Sequence, residues 1–341
     1  MEKTLVVILS ETREYELTFA NFKQNVIDEL NADLCLCIGV KSNYNYENPF
    51  YKAAKYRFLY NEEDDRDFSK SLELSYKETA DGPIPERGIS EAESVGIGRF
   101  SGEATQELRS EKQQTGQGSG FADQKHYTEF LQLKPHVGYF DRQDSPEFIN
   151  FCTSTYIHIF FLWFLQKNAK ETDLLSKYDR IIIARSDYIY NLPFPKMKIL
   201  DASYIWVPDW EDYGGLCDRT VVLSATHFES YVSILEHFHK RANAYYTIIE
   251  GQFNWNMERI LRMHLEETQV YHLVRRYPYI SYAVRSANGS SRWSTGEYHN
   301  GLGYCIKYNA EYERALYYKN EYENSNEYGT IDTFYQKYIN P

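Results

Sequence analysis

The chain has 341 residues, enough for one large domain or two modest ones, and a formal net charge of −12 from 49 acidic and 37 basic residues. That balance argues against a binder of nucleic-acid backbone, which needs a basic surface, and an acidic protein that takes a phosphorylated ligand needs a divalent cation or a few well-placed arginines. The aromatic load of 32 Tyr, 19 Phe and 5 Trp suits carbohydrate ligands, because a ring offers an apolar face and a polar tip; a bias of composition would give the same count.

In chain order, "MEKTLVVILS" is too short and too acidic for a signal peptide and reads as a first strand. Phe19, Phe22, Val26 and Leu30 then recur at helical spacing, and "ADLCLCIGV" reads as a second strand. Strand, helix, strand at this separation is a βαβ opening, which implies an α/β class with a mostly parallel sheet. Residues 61–125 change character: a charge run is followed by a Gly-, Ser-, Glu- and Gln-rich stretch. This reads as a low-complexity insertion, flexible or ordered as a lid, between residues 1–60 and 126–341 of a single domain.

Beyond it, Ser154 to Ala169 reads as a strongly hydrophobic helix, in which the longest apolar run, Tyr156 to Leu165, is about half the ~20 residues needed to cross a bilayer. Cys35, Cys37, Cys152, Cys217 and Cys305 are scattered without a C-x-x-C pair, which suits reduced thiols, so a soluble, cytoplasmic protein is expected. The Ile-rich run Ile181 to Ala184 reads as a buried strand, and strands follow at "SYIWVP" and "TVVLS". Thr226-x-x-Glu229 marks a helix start by the capping-box pattern, and Asn254 to Glu267 reads as a further helix.

The chemistry-bearing residues sit between these elements. Arg185 and Asp187 leave the Ile-rich strand at i and i+2, so in an extended segment both reach toward one ligand at the strand's carboxyl end; a plain Arg–Asp ion pair is the other reading. In "PDWEDYGGLCDR", Asp209, Glu211, Asp212 and Asp218 alternate with Trp210 and Tyr213 around Gly214-Gly215, which fits a sugar site or an acidic surface turn. Glu258 near a helix start serves either the helix dipole or general-base chemistry, and Glu250 is a second candidate. Arg285, Arg292, Trp293 and His299 fall in a turn-rich segment that reads as a surface loop or as a phosphate clamp with a metal-ligating imidazole.

Together, "YDRIIIARSDYIY", "YIWVPDWEDYGGLCDRTVVLS", "NWNMERILRMHLEE" and "VRSANGSSRWSTGEY" resemble a family of GT-A-type glycosyltransferase-like proteins of algae, microbes and large viruses. The resemblance covers about Ser154 to Ala315, and residues 1–40 in general pattern. It implies a GT-A-like fold and transfer of a sugar from a nucleotide-sugar donor to a hydroxyl of a glycan or glycoconjugate acceptor, with inversion favoured. Arg13, Arg185, Asp187, Gly214, Gly215 and Arg292 would bind the donor, and Asp187 with His299 would hold Mn2+ or Mg2+. Glu258, Asp218 and Asp212 would be catalytic. Arg185 stands where such proteins carry the first carboxylate of a D-x-D motif, which opens the question of metal dependence. Two other readings fit the same residues: a non-catalytic sugar- or nucleotide-binding protein, and a metal-dependent phosphoesterase or nucleotidyltransferase.

Overall fold

The computed structural model describes residues 2–61, 139–140, 151–152, 154–240, 245, 248, 256–287, 296–325 and 327–339. Almost all of the expected insertion, together with Glu250, Arg292 and Trp293, lies outside the described residues.

The strands are β1 (Thr4–Ser10), β2 (Asp33–Val40), β3 (Tyr56–Asn61), β4 (Tyr139–Phe140), β5 (Phe151–Cys152), β6 (Arg180–Ala184), β7 (Tyr188–Tyr190), β8 (Ile205–Pro208), β9 (Val221–Ser224), β10 (Val274–Tyr277), β11 (Ser281–Arg285), β12 (Glu297–His299) and β13 (Tyr304–Ile306). The helices are α1 (Tyr15–Phe22, continued by a π-helical turn over Lys23–Asp28), α2 (Pro49–Ala53), α3 (Ser154–Glu171), α4 (Ala225–Val232), α5 (Ile234–Lys240), α6 (Met257–Glu267), α7 (Asn309–Asn324) and α8 (Ile331–Ile339).

Seven strands form the central sheet in the order β10-β8-β9-β6-β1-β2-β3, and all are parallel except β9, which runs against both neighbours. β1 and β6 are apolar at every position but their ends because both faces of the sheet are covered. Leu5, Val7, Leu9, Ile181 and Ile183 pack on one side with α3, α4, α5 and α6. Val6, Ile8, Ile182 and Ala184 pack on the other, with Phe22 and Val26 of the first helical segment and Phe334 of α8. The βαβ opening is therefore present, with β2 parallel to β1 in the register Leu5 to Asp33. A second, antiparallel sheet runs β12-β13-β11-β7.

One expectation fails locally. Thr226 and Glu229 do not make a capping box: α4 starts one residue earlier, its cap Ser224 makes no side-chain cap bond, and the Glu229 carboxylate accepts from the Gln166 amide at 2.7 Å. The tie from α4 to α3 takes the carboxylate that the cap would have used. The last two helices, α7 and α8, carry no strong sequence signal, yet α7 reaches into the site described next.

The topology places that site. The chain builds β1, β2 and β3 outward to one side and then returns to lay β6 against the opposite flank of β1. Open α/β sheets bind ligands outside the carboxyl ends of strands at such a reversal. Here those ends are Ser10 and Ala184, with Ile8 beside Ala184 in register.

Candidate functional site

Two loops leave the sheet at the reversal and are tied by one hydroxyl. The Arg13 N–H donates to Ser186 Oγ at 2.7 Å, and that oxygen lies 3.1 and 3.2 Å from the carbonyls of Glu11 and Arg13. Ser186, unremarkable in sequence, thus fixes residues 11–13 against 185–187. From Asp187 the chain crosses into the second sheet, where the Val284 N–H donates to the Asp187 carbonyl at 2.9 Å.

Arg185 and Asp187 do come together, but they face each other. Arg185 Nε and Nη2 donate to Asp187 Oδ1 and Oδ2, each at 3.0 Å, and the buried Arg285 places Nη1 2.7 Å from Oδ2. Burial would raise the Asp187 carboxyl, but Arg185 and Arg285 outweigh it and hold it well below the usual carboxylate range. Arg13, about 44% exposed and paired with Glu11, adds a further positive charge at this end. Lys307, just past β13, is buried without an ion-pair partner among the described residues. Burial, Arg185 and Arg285 lower its ammonium to about 7. Four cationic side chains, Arg13, Arg185, Arg285 and Lys307, therefore gather at this end with three carboxylates, Glu11, Asp187 and Glu14, the last accepting the Ser286 N–H at 2.8 Å.

The other end is acidic. Arg219 follows the Gly-Gly loop and is ringed by carboxylates: Nη1 pairs with Asp218 and lies 3.2 Å from Glu258 Oε1, while Nε lies 3.2 Å from Glu311 Oε1. Glu311, fully buried on α7, also accepts from the Tyr188 hydroxyl at 3.2 Å and the Ala283 N–H at 3.0 Å. Burial and the neighbouring Asp218 push Glu258 up to about 7. Asp218 would also rise on burial, but Arg219, His158 and Arg185 hold it low. His158, from α3, is lowered to about 4 by burial, so it is neutral at pH 7.

The loop before Arg219 is shaped to present Glu258. At Gly215 an added Cβ would lie 2.1 Å from the Glu258 carbonyl carbon and oxygen, so only glycine lets the loop touch the start of α6. Gly214 sits at φ +83°, in the left-handed region. The Leu216 N–H donates to the Glu258 carbonyl at 2.9 Å, and Asn256 caps α6 by accepting from the Arg259 N–H at 2.9 Å while its amide reaches the Tyr213 carbonyl.

Asp212 and Asp209 build this loop. Asp212 takes Arg276 through both oxygens at 2.8 Å and accepts the Cys217 N–H at 2.9 Å. Asp209 accepts from the Tyr279 N–H and Arg314. Trp210 and Tyr213 are left exposed at its surface.

Of the residues expected from sequence, Arg13, Arg185 and Asp187 gather at the cationic end, and Asp218, Gly214, Gly215 and Glu258 at the acidic end. Asp212 stands apart in its bond to Arg276. His299 is exposed on β12, with its ring against Tyr312. Arg219, Glu311 and Lys307 complete the site without a sequence signal that marks them as functional. Arg219 closes the quoted "GGLCDR" motif, but Lys307 just follows β13 and Glu311 lies in the first turn of α7, with no motif of their own.

The resemblance to GT-A-type proteins implies a divalent cation, and the residues in place do not fit one. A hard cation of this kind takes about six oxygen ligands. Both Asp187 oxygens are already bonded to guanidinium groups, and among the described residues no group of three or more His, Cys, Asp or Glu converges.

No family profile matches the chain, and no curated protein matches it. The crystal structure of mouse xyloside xylosyltransferase 1 in its apo form superposes over 81% of this chain and 85% of that one, at 8% identity and a TM-score of 0.33. A likeness that loose carries no argument. The chain is a mixed α/β protein with a mostly parallel seven-stranded sheet flanked by helices. Among the described residues no helix is long and apolar enough to cross a membrane.

Proposed function

We propose that the chain is a glycosyltransferase of GT-A-like architecture that moves a sugar from a nucleotide-sugar donor to an acceptor hydroxyl. The observation that carries this reading is the contiguity of a cationic and an acidic cluster of side chains at the carboxyl ends of β1 and β6. Cationic side chains gather where the sheet reverses, and a chain of contacts joins them to the buried Glu258: Arg185 lies 5.8 Å over the Tyr188 ring, the Tyr188 hydroxyl donates to Glu311 at 3.2 Å, and Arg219 bridges Glu311 and Glu258 at 3.2 Å each.

The chemistry follows from charge. Arg185 and Arg13 meet the diphosphate and stabilise the negative charge that grows on it as the anomeric bond breaks. The acceptor hydroxyl gives its proton to Glu258 and attacks the anomeric carbon from the face opposite the leaving phosphate, which inverts that centre. A base with a pKa of about 7 is half ionised at neutral pH, which is where general-base catalysis is most effective. Trp210 and Tyr213 offer exposed ring faces on which a sugar can stack. Asp218 and Glu311 hold Arg219, and Arg219 in turn fixes the Glu258 carboxyl 3.2 Å away.

The test is to incubate the full chain with a panel of nucleotide sugars and to follow release of the nucleoside diphosphate with and without simple glycoside acceptors. Release from one donor, accelerated by an acceptor and yielding a longer glycan, is the expected result. Binding of a donor with no release under any acceptor would instead favour the non-catalytic reading, and cleavage of simple phosphodiesters would favour a phosphoesterase.

A further inference from the structure

We infer that this crevice takes a diphosphate without a divalent metal, with the guanidinium groups of Arg13 and Arg185 and the ammonium of Lys307 in the metal's place and the buried Arg285 behind them. The inference deepens the nucleotide-sugar reading and rests on it.

Three observations at separate points of the chain support it. First, Asp187, the carboxylate in the metal-facing position, is bonded through both oxygens to Arg185 and Arg285, so a cation arriving there would have to displace two guanidinium groups and would be repelled by both. Second, the positive charge is in excess of what the fold neutralises. Arg285 is about 1% exposed, yet its Nε and Nη2 have no hydrogen-bond partner, and buried polar groups are ordinarily paired. Third, Lys307 is buried among like charges: Arg285 on the neighbouring strand, with Arg185 and Arg13 from the two crevice loops and only Asp187 opposing them. A chain with net charge −12 that crowds four cations into one place is holding a site for an anion.

The geometry divides the work. Arg13 and Arg185 keep part of their side chains in solvent and can touch phosphate oxygens directly, whereas Arg285 lies behind Asp187 and contributes its charge. A bound diphosphate supplies the negative charge that this end of the crevice lacks, and Lys307, held near neutrality in its absence, takes up a proton as it binds. Affinity therefore falls as pH rises through about 7 and beyond.

The test uses calorimetric titration of the full chain with inorganic pyrophosphate and with nucleoside diphosphates, once in EDTA and once with Mn2+ or Mg2+, on the wild type and on Lys307→Met. Binding in EDTA at an affinity within about threefold of that with metal is expected, and Lys307→Met should weaken it by roughly tenfold, the loss of one charge-assisted contact. Lys307→Met should at the same time raise the ligand-free melting temperature at pH 6, since it removes an ammonium buried among like charges; a merely structural lysine would give the opposite sign. Binding that appears only with Mn2+ or Mg2+ overturns the inference and leaves the glycosyltransferase reading in place. Wild-type affinity in Lys307→Met removes Lys307 from the site. If neither pyrophosphate nor any nucleoside diphosphate binds under either condition, both readings fall.

Discussion

Replacing Glu258 with Gln is expected to cut sugar transfer by about 10²- to 10⁴-fold and to leave donor affinity within a factor of about two. The split follows from position. Glu258 sits at the acidic end, 3.2 Å from Arg219 Nη1, and makes no hydrogen bond or ion pair with Arg13, Arg185 or Lys307 at the cationic end. The wild-type rate should climb with pH through about 7 as the carboxyl ionises, and this limb should vanish in the variant. Folding and chemistry can be told apart here. The folded pKa of Glu258 is raised, so its contribution to stability is full below the ordinary carboxylate pKa and is lost as pH rises through about 7. A neutral amide of the same shape avoids that loss, and Arg219 keeps Asp218 and Glu311 as partners. Glu258→Gln should therefore be at least as stable as the wild type at pH 8. Full turnover in the variant would remove Glu258 from the base role.

The second large effect is on stability. Asp187→Ala should destabilise the fold by about 3–5 kcal/mol in denaturant unfolding, the usual cost of leaving buried charge unpaired. Asp187 is about 2% exposed and is the shared partner of Arg185 and Arg285; without it these two guanidinium groups, Arg13 and Lys307 repel one another with Glu11 and Glu14 left to oppose them. Pyrophosphate at a concentration well above its dissociation constant should restore part of the loss, because a ligand that binds only the folded state stabilises it by mass action. A change smaller than about 1 kcal/mol would mean that the three-residue cluster contributes little to the fold.

Much of this architecture was legible in the residues. The unbroken apolar runs of β1 and β6, and the helical spacing of Phe19, Phe22 and Val26 between β1 and β2, announced a parallel sheet covered on both faces. The Gly214-Gly215 pair announced a close backbone approach, and Gly215 makes it against Glu258. What sequence could not show was partnership. The i, i+2 spacing of Arg185 and Asp187 suggested two groups aimed at one ligand, but the chain turns at Ser186 as it passes between sheets, and the two side chains close on each other. The acidic run from Asp209 to Asp218 suggested several carboxylates open to a sugar, whereas Asp209 and Asp212 are taken by Arg314 and Arg276 from distant segments. Glu311 and Lys307 were invisible for the same reason: their place depends on the second sheet and α7 folding back beneath the reversal, and no local pattern encodes it.

The cationic cluster, proposed to bind the donor phosphates, is the part on which the rest depends. Amide hydrogen exchange of the full chain with and without its tightest nucleoside diphosphate tests it most directly. Slowed exchange at residues 10–14, 185–187 and 285–286, the segments that meet where β1, β6 and β11 end, is the predicted result. Slowing confined to other segments, with these three unchanged, would contradict it.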